Sequence, residues 1–288
     1  MPDIPNKTRV SIIVIRDGNL LLIKRVKPNK TYYTFPGGTV ENDETPEQAV
    51  VREGLEELSC PVKIDKLLFE DKTDDRHDYY FLIKDFEGEP RMGEPEASRI
   101  SEDNNYIFEW IPIDKIQELD NFYIPDIRSQ LLSWWNNQKL VKDIRNALIS
   151  ANETVREIEY TSGNYDDKGN LIISPIPTIT TNVCEIGIYD DTIYFTFIIL
   201  SSDFKKELLD SLPDNAQIYP FKNFNNTLYP KSDFNYSELE QQIKQDKYLQ
   251  INFSDNYKQY SIDQIVDKYF EYKKLFIKTD IKPVNQSE

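Results

Sequence analysis

Between Gly37 and Cys60 the chain reads GGTVENDETPEQAVVREGLEELSC, with seven carboxylates in this short stretch. On a helix, Glu53, Glu56 and Glu57 fall at i, i+3 and i+4 and share one side, with Arg52 next to them. Three like charges crowded on one face repel each other. That cost makes sense when a divalent cation sits among the oxygens, since hard cations take carboxylate ligands. A cation held this way can offset negative charge on a bound group and help activate a water. An ordinary solvated acidic helix explains neither the Gly37-Gly38 pair ahead of it nor the single Arg among the Glu residues.

The positioning elements are legible around these residues. Thr45-Pro46-Glu47-Gln48 reads as a helix start: Thr45 caps, Pro46 takes the first helical position and Gln48 completes a capping box. The helix runs to about Leu58, with Pro61 as a stop just beyond. Val51, Leu55 and Leu58, at i, i+4 and i+7, are expected to form its buried stripe. Gly37 and Gly38 let the backbone approach a metal or phosphate that a side chain would block. Tyr32, Tyr33 and Phe35 are aromatic surfaces on which a base can stack, with core packing the plainer role for Phe35. Lys24 and Arg25 alternate on a strand, and either is long enough to reach a phosphate.

Gly38, five residues, Glu44, seven residues, then Arg52-Glu53-x-x-Glu56-Glu57 resembles the Nudix box, G-x5-E-x7-R-E-U-x-E-E-x-G-U, of the Nudix hydrolases. Gly54, Ser59 and Cys60 depart from it, at positions that carry no charge. Gly54 should weaken the helix by roughly 1 kcal/mol relative to Ala, and Ser59 replaces the glycine that best accepts a left-handed helix end. The resemblance implies Glu53, Glu56, Glu57 and the Gly38 carbonyl as ligands of Mg²⁺, with Mn²⁺ as an alternative. It implies that Arg52 pairs with Glu44 and its other acidic neighbours to hold them in one orientation. The general base is then Glu53, Glu56 or Glu57, or a carboxylate of a distant loop that carries Glu94, Glu96 and Glu102, with Glu96 ranked first. Arg25 is favoured for phosphate, and Tyr33 and Phe35 join it as substrate-binding residues. His77, the only histidine, is expected to make one hydrogen bond to the backbone and to carry no catalysis.

The implied reaction cleaves a nucleoside di- or triphosphate derivative to a nucleoside monophosphate and a phosphorylated remainder, as in the MutT-like branch. Subfamily markers are mostly missing: no SQPWPFPxS array occurs, and no proline falls between Pro61 and Pro90. The tyrosine associated with dinucleoside polyphosphate hydrolases is one residue off, at Tyr79 rather than position 78, which keeps such substrates as an alternative. A second alternative is a Nudix-fold nucleotide sensor whose C-terminal half binds a protein partner.

The resemblance covers residues 5–138 of 288, so two domains are expected, 1–138 and 139–288, with a boundary near 137–150. Strand signals at 9–15, 20–26, 62–70, 77–86 and 106–113, the box helix and a closing helix at 126–136 match a Nudix-like α/β/α sandwich with a mixed sheet. The second half reads as an α+β domain with antiparallel hairpins: strands 153–161 and 170–178 about Asp166–Asn170, and strands 182–189 and 192–200 about Asp190-Asp191. A strand at 216–222 and helices at 203–212, 236–246 and 261–277 complete it.

Net charge is −16, with −10 in residues 1–138 and −6 in 139–288. Such acidity argues against sequence-independent binding to nucleic acid. Two cysteines, Cys60 and Cys184, are too few for a disulfide framework or a structural zinc. No apolar run nears the roughly 20 residues that span a bilayer, and the first residues lack a basic-then-apolar signal. A cytoplasmic protein acting on a small nucleotide, off the membrane, is the expectation.

Overall fold

The computed structural model describes residues 8–72, 76–84, 86, 88–94, 96–123, 125–165, 171–189, 191–220, 229–230 and 248–276. It divides into two compact units: Met1–Trp135 with Thr161–Pro175, and Asn136–Tyr160 with Ile176–Glu288.

In the first unit β1 (Thr8–Ile13), β2 (Ile15–Arg16), β3 (Asn19–Lys27) and β4 (Lys30–Thr34) precede helix α1 (Pro46–Leu58). Then come β5 (Lys63–Lys72), β6 (His77–Lys84), β7 (Asn105–Pro112) and the start of helix α2 (Pro125–Ser150). β1 runs parallel to β6, and β6 antiparallel to β5, so this sheet is mixed. β3 is central to a second, antiparallel sheet with β2, β4 and β7. Asp17 and Gly18 turn β2 into β3, both at positive φ, as the Asp-Gly signal requires.

The strands are covered on both sides. On one side Ala49, Val50 and Leu58 of α1 pack with Val10, Ile12, Leu21 and Phe81. On the other, Ile127, Leu131 and Trp134 of α2 pack with Ile13, Leu20, Leu22, Phe69 and Tyr80. This is the α/β/α arrangement that the sequence pattern predicts.

α1 starts as its sequence specifies, with Thr45 accepting the Gln48 N–H at 3.3 Å and Gln48 accepting the Thr45 N–H at 2.8 Å. It ends at Ser59 in the left-handed region, φ 52°. Its buried face differs from the expected one. Val51 and Leu55 are 43% and 53% exposed, while Ala49, Val50, Glu53, Gly54 and Leu58 are buried. Gly54 explains the rotation. A Cβ there would lie 2.7 Å and 2.8 Å from the two Val62 methyls, so this face fits closely only because the residue is glycine. Gly54→Ala is therefore expected to lower the melting temperature, the overpacking cost of about 1–3 kcal/mol exceeding the helix-propensity gain of roughly 1 kcal/mol. Thermal denaturation checks this, and in a Val62→Ala background the same change should stabilise.

In the second unit α2 is one helix through Ser150, where a closing helix at 126–136 and a break near 137 were expected. Within the expected boundary, Asn137 is buried and its Oδ1 accepts the Tyr257 hydroxyl at 3.0 Å. β8 (Arg156–Tyr165) pairs with β9 (Leu171–Thr180), and their turn, 166–170, lies outside the described residues. Leu171–Lys72 and neighbouring pairs attach the start of β9 to β5 within the first unit. In the second unit β9, β10 (Cys184–Tyr189), β11 (Thr192–Leu200), β14 (Tyr248–Asn256), β12 (Ala216–Pro220) and β13 (Tyr229–Pro230) follow in antiparallel order. Short helix α3 (Lys206–Ser211) and α4 (Ile262–Leu275) supply Leu208, Leu209, Ile265, Tyr269 and Tyr272 to the core. The helix expected at 236–246 lies outside the described residues. No described helix is long and apolar enough to cross a membrane.

Candidate active site

The site is assembled from α1 and the segment before it. The main chain of 36–40 runs along β1: Ile12 N–H donates to Pro36 O at 2.8 Å, Val10 N–H to Gly38 O at 2.9 Å, and Val40 N–H to Thr8 O at 2.9 Å. Such close pairing needs the two glycines. Gly37 has φ 129°, and a Cβ there would lie 2.2 Å from Val10 O. A Cβ on Gly38 would lie 2.0 Å from Glu53 Oε1. The Glu53 carboxylate thus occupies the space a side chain at 38 would fill.

Arg52 is the hub. Its Nη2 donates to Glu44 Oε1 at 2.6 Å and its Nε to Glu44 Oε2 at 3.2 Å. Its Nη1 donates to Glu53 Oε1 at 2.8 Å and to Glu56 Oε2 at 2.9 Å, and Nη2 also reaches Thr39 O at 3.0 Å. One guanidinium fork thereby fixes three carboxylates and a loop carbonyl. The hydrogen bond from Arg52 holds the Glu44 carboxyl below its ordinary value, and the bond to Glu44 raises Arg52 in turn.

Glu53 and Glu57 are under the opposite pressure. Burial pushes Glu53 up, against the pull of Arg52. Burial pushes Glu57 up to about 7, opposed by the Gly37 N–H and reinforced by the charges of Glu53 and Glu96. The Gly37 N–H donates to Glu57 Oε2 at 2.6 Å. Among the described residues no three carboxylate, imidazole or thiol groups converge as they stand closely enough to hold a metal ion. The reason is visible in the bonds above: Glu53 and Glu56 both turn an oxygen to Arg52, and Glu57 turns one to Gly37.

Glu96 stands on the loop between β6 and β7. Arg99 Nη1 donates to its Oε1 at 2.8 Å, while its Oε2 is buried with no hydrogen-bond partner among the described residues. Glu94 instead accepts from the Ser98 hydroxyl at 2.5 Å, and Glu102 is exposed.

The remaining expected residues are placed elsewhere. Phe35 is 1% exposed and lies edge-on to Tyr80 and Phe122 in the core, so it presents no stacking face to a ligand. Tyr33 donates to Glu109 Oε2 at 2.9 Å, beside Lys24, which reaches Glu109 Oε1 at 3.1 Å. Arg25 points to the other side of β3, where its Nη2 donates to Asn104 Oδ1 at 2.9 Å and its guanidinium lies 3.5 Å from the Tyr106 ring centroid. Tyr33 and Arg25 are therefore not brought together. The His77 Nε2 lies 2.5 Å from Glu70 Oε1, a carboxylate rather than a backbone partner, and its ring stacks on Tyr79 at 4.2 Å.

Sequence reasoning missed Arg9. Its Nη2 donates to Gly37 O at 2.7 Å, and its charge partly offsets the burial that raises Glu53 and Glu57. Its only sequence signal is a basic residue near the start of β1.

The first unit is thus an α/β/α domain with an arginine-tied carboxylate helix laid against a Gly-Gly segment on its first strand. The NUDIX domain family model matches residues 5–131. An 8-oxo-dGTP diphosphatase of Escherichia coli (strain K12) is 36% identical, over 31% of this chain and 77% of that protein. A MutT-like protein of Streptomyces ambofaciens is 41% identical over 66 residues, 23% of this chain, and the chain spans 42% of that relative's length. Among solved structures, a MutT NUDIX hydrolase from Burkholderia pseudomallei is similar at 27% identity and a TM-score of 0.34, over 43% of this chain and 96% of that one. The chain belongs to the Nudix family through its first unit.

Proposed function

We propose that the protein is a divalent-metal-dependent pyrophosphohydrolase that cleaves a nucleoside di- or triphosphate derivative to a nucleoside monophosphate and a phosphorylated remainder. The observation that carries this reading is the Arg52 network, which holds Glu44, Glu53 and Glu56 in one orientation beside the buried carboxyl of Glu57. The donor set fits a hard cation: all its members are oxygens, Glu57 is a carboxyl that burial leaves short of positive charge, and Glu96 Oε2 is an orphaned acceptor.

Glu53, Glu56, Glu57 and the second lone pair of the Gly38 carbonyl would hold Mg²⁺, or Mn²⁺ in its place. When bound, the ion offsets phosphate charge and lowers the pKa of a coordinated water. Arg52 keeps the ligating carboxylates in register, and Arg9 fixes the Gly37 carbonyl. Glu96, with one oxygen held by Arg99, has the other left to accept the proton of the attacking water.

The test is a nucleotide panel with the purified chain and Mg²⁺. It contains the ordinary nucleoside triphosphates, 8-oxo-dGTP, ADP-ribose and dinucleoside polyphosphates. Release of a nucleoside monophosphate from one of them is expected, and its loss on adding EDTA. Absence of turnover across the panel would overturn the reading.

A further inference from the structure

We propose that Gly93 docks the β6–β7 loop onto the last turn of α1 and thereby sets where Glu96 stands relative to Glu57. The proposal rests on the hydrolase reading above, and it assigns a positioning role to a residue outside the box.

The loop crosses the end of α1 at close quarters. A Cβ on Gly93 would lie 2.4 Å from Glu56 O and 2.8 Å from Leu55 O. Both are main-chain carbonyls of a helical turn, so neither can swing aside as a flexible side chain would. Two residues earlier the Arg91 N–H donates to Leu58 O at 3.0 Å, satisfying a carbonyl that the helix end leaves open. Upstream, Arg16 fastens the loop's beginning: its Nη2 donates to Gly88 O at 2.7 Å and its guanidinium lies 4.7 Å from the Trp110 ring centroid.

From Gly93 the chain folds directly into the turn that carries Glu96. Gly93 O accepts the Ala97 N–H at 2.8 Å, and Glu94 accepts from Ser98. The far end is tied to β3. Asn104 Nδ2 donates to Arg99 O at 2.7 Å, and Asn104 Oδ1 accepts from Arg25. Arg25 thus holds the loop rather than standing free for a phosphate. With Arg99 on Glu96 Oε1, the turn is fixed at both ends and aims one unpartnered carboxylate oxygen inward. The same helix turn bears Glu56 and Glu57, so a shift at Gly93 displaces Glu96 against those residues directly.

Gly93 does not occupy the left-handed region, so alanine there adds only the steric contact. Relieving that contact needs a backbone movement of about 1 Å, and an error of that size in a catalytic group costs about 100-fold in rate.

The test uses the full chain and four proteins: wild type, Gly93→Ala, Glu96→Gln and the double variant. Two measurements are made, amide hydrogen exchange at Arg91 and Ala97, and steady-state hydrolysis of the best panel nucleotide with Mg²⁺. In Gly93→Ala the two amides should exchange at least about tenfold faster while those of β1 and β6 are unchanged, and kcat should fall about 100-fold with KM within about threefold. In the Glu96→Gln background the same substitution should cost nothing further. Unchanged exchange at both amides would overturn the docking. An equal loss of kcat with and without the Glu96 carboxylate would overturn its link to Glu96. Exchange needs no turnover, so a failed hydrolase reading and a failed docking are read apart: full activity in Glu96→Gln sinks the role of Glu96 and leaves the exchange result to decide the loop.

Discussion

Glu57→Gln should abolish most of the hydrolysis, by about 100-fold or more, and at the same time make the metal-free protein more stable at pH 8. The two effects share one cause. Glu57 lies in a site whose burial raises its carboxyl from 4.5 to about 7. At pH 8 the native state must keep that carboxylate ionised among Glu53 and Glu96. The amide of Gln carries no charge, and its oxygen can still accept the Gly37 N–H. The sign follows from linkage. Because the folded value is above the unfolded one, the protonated group contributes stability that is fully present below pH 4.5 and is lost as pH rises through about 7. The wild-type disadvantage is then on the order of 3 kcal/mol above pH 8 and vanishes near pH 4. Urea denaturation in EDTA at pH 4.5, 6 and 8 measures it. A divalent cation should reverse the order, since ligand that binds only the native state stabilises it and Glu57 is proposed to bind the cation. If the variant were less stable than wild type at pH 8 without metal, the picture of an uncompensated carboxylate would be wrong.

What the sequence made legible was local. Thr45, Pro46 and Gln48 act within one turn, so their residue types suffice to place the helix start, and both predicted capping bonds are present. The spacing from Gly38 to Glu57 is likewise a property of one loop and one helix. Failures begin where a partner comes from far along the chain. Val51 and Leu55 are as apolar as Val50 and Leu58, yet only the latter pair is buried, beside Ala49 and Gly54, and small residues carry little hydrophobic signal to read. Glu53 is buried despite its charge because Arg52 accompanies it. Phe35 takes the plainer of its two expected roles, closed over in the core by Tyr80 and Phe122 rather than serving as a ligand platform.

The same contrast holds in the second unit. Its hairpin β10–β11 is visible from apolar alternation about Asp190-Asp191, whereas the insertion of β14 between β11 and β12 is set by long-range register alone. The helix runs on through the expected boundary, where Asn137 has its partner, Tyr257, remote in sequence. Glu153 similarly gains meaning only from α4, where Tyr269 donates to it at 2.8 Å and Lys273 at 2.6 Å. These bonds add to the apolar core of that unit.

Arg52→Lys should cost as much activity as Glu57→Gln, about 100-fold, but with the opposite effect on stability. The substitution keeps the positive charge and removes the fork. Arg52 spans Glu44 on one side and Glu53 with Glu56 on the other, and reaches Thr39 O as well. An ammonium has three donors at a single point and cannot bridge those separated acceptors. Glu53, only 9% exposed in its side chain, is then left poorly paired. The expected loss is about 2 kcal/mol at neutral pH, below the full cost of breaking a buried pair because Arg52 and Glu56 remain partly solvated. Its pH dependence runs opposite to that of Glu57. Arg52 lowers the Glu44 carboxyl, so that contribution is present above the ordinary carboxylate value and is lost as pH falls through the lowered one. The stability gap between wild type and Arg52→Lys should therefore narrow on acidification. Excess Mg²⁺ should not restore the rate, because orientation of the carboxylates rather than their number has been lost. Equal losses of activity with stability changes of opposite sign would separate a residue that orients the site from one that serves it as a buried charge. If Arg52→Lys kept both full activity and wild-type stability, the fork would have no part in either.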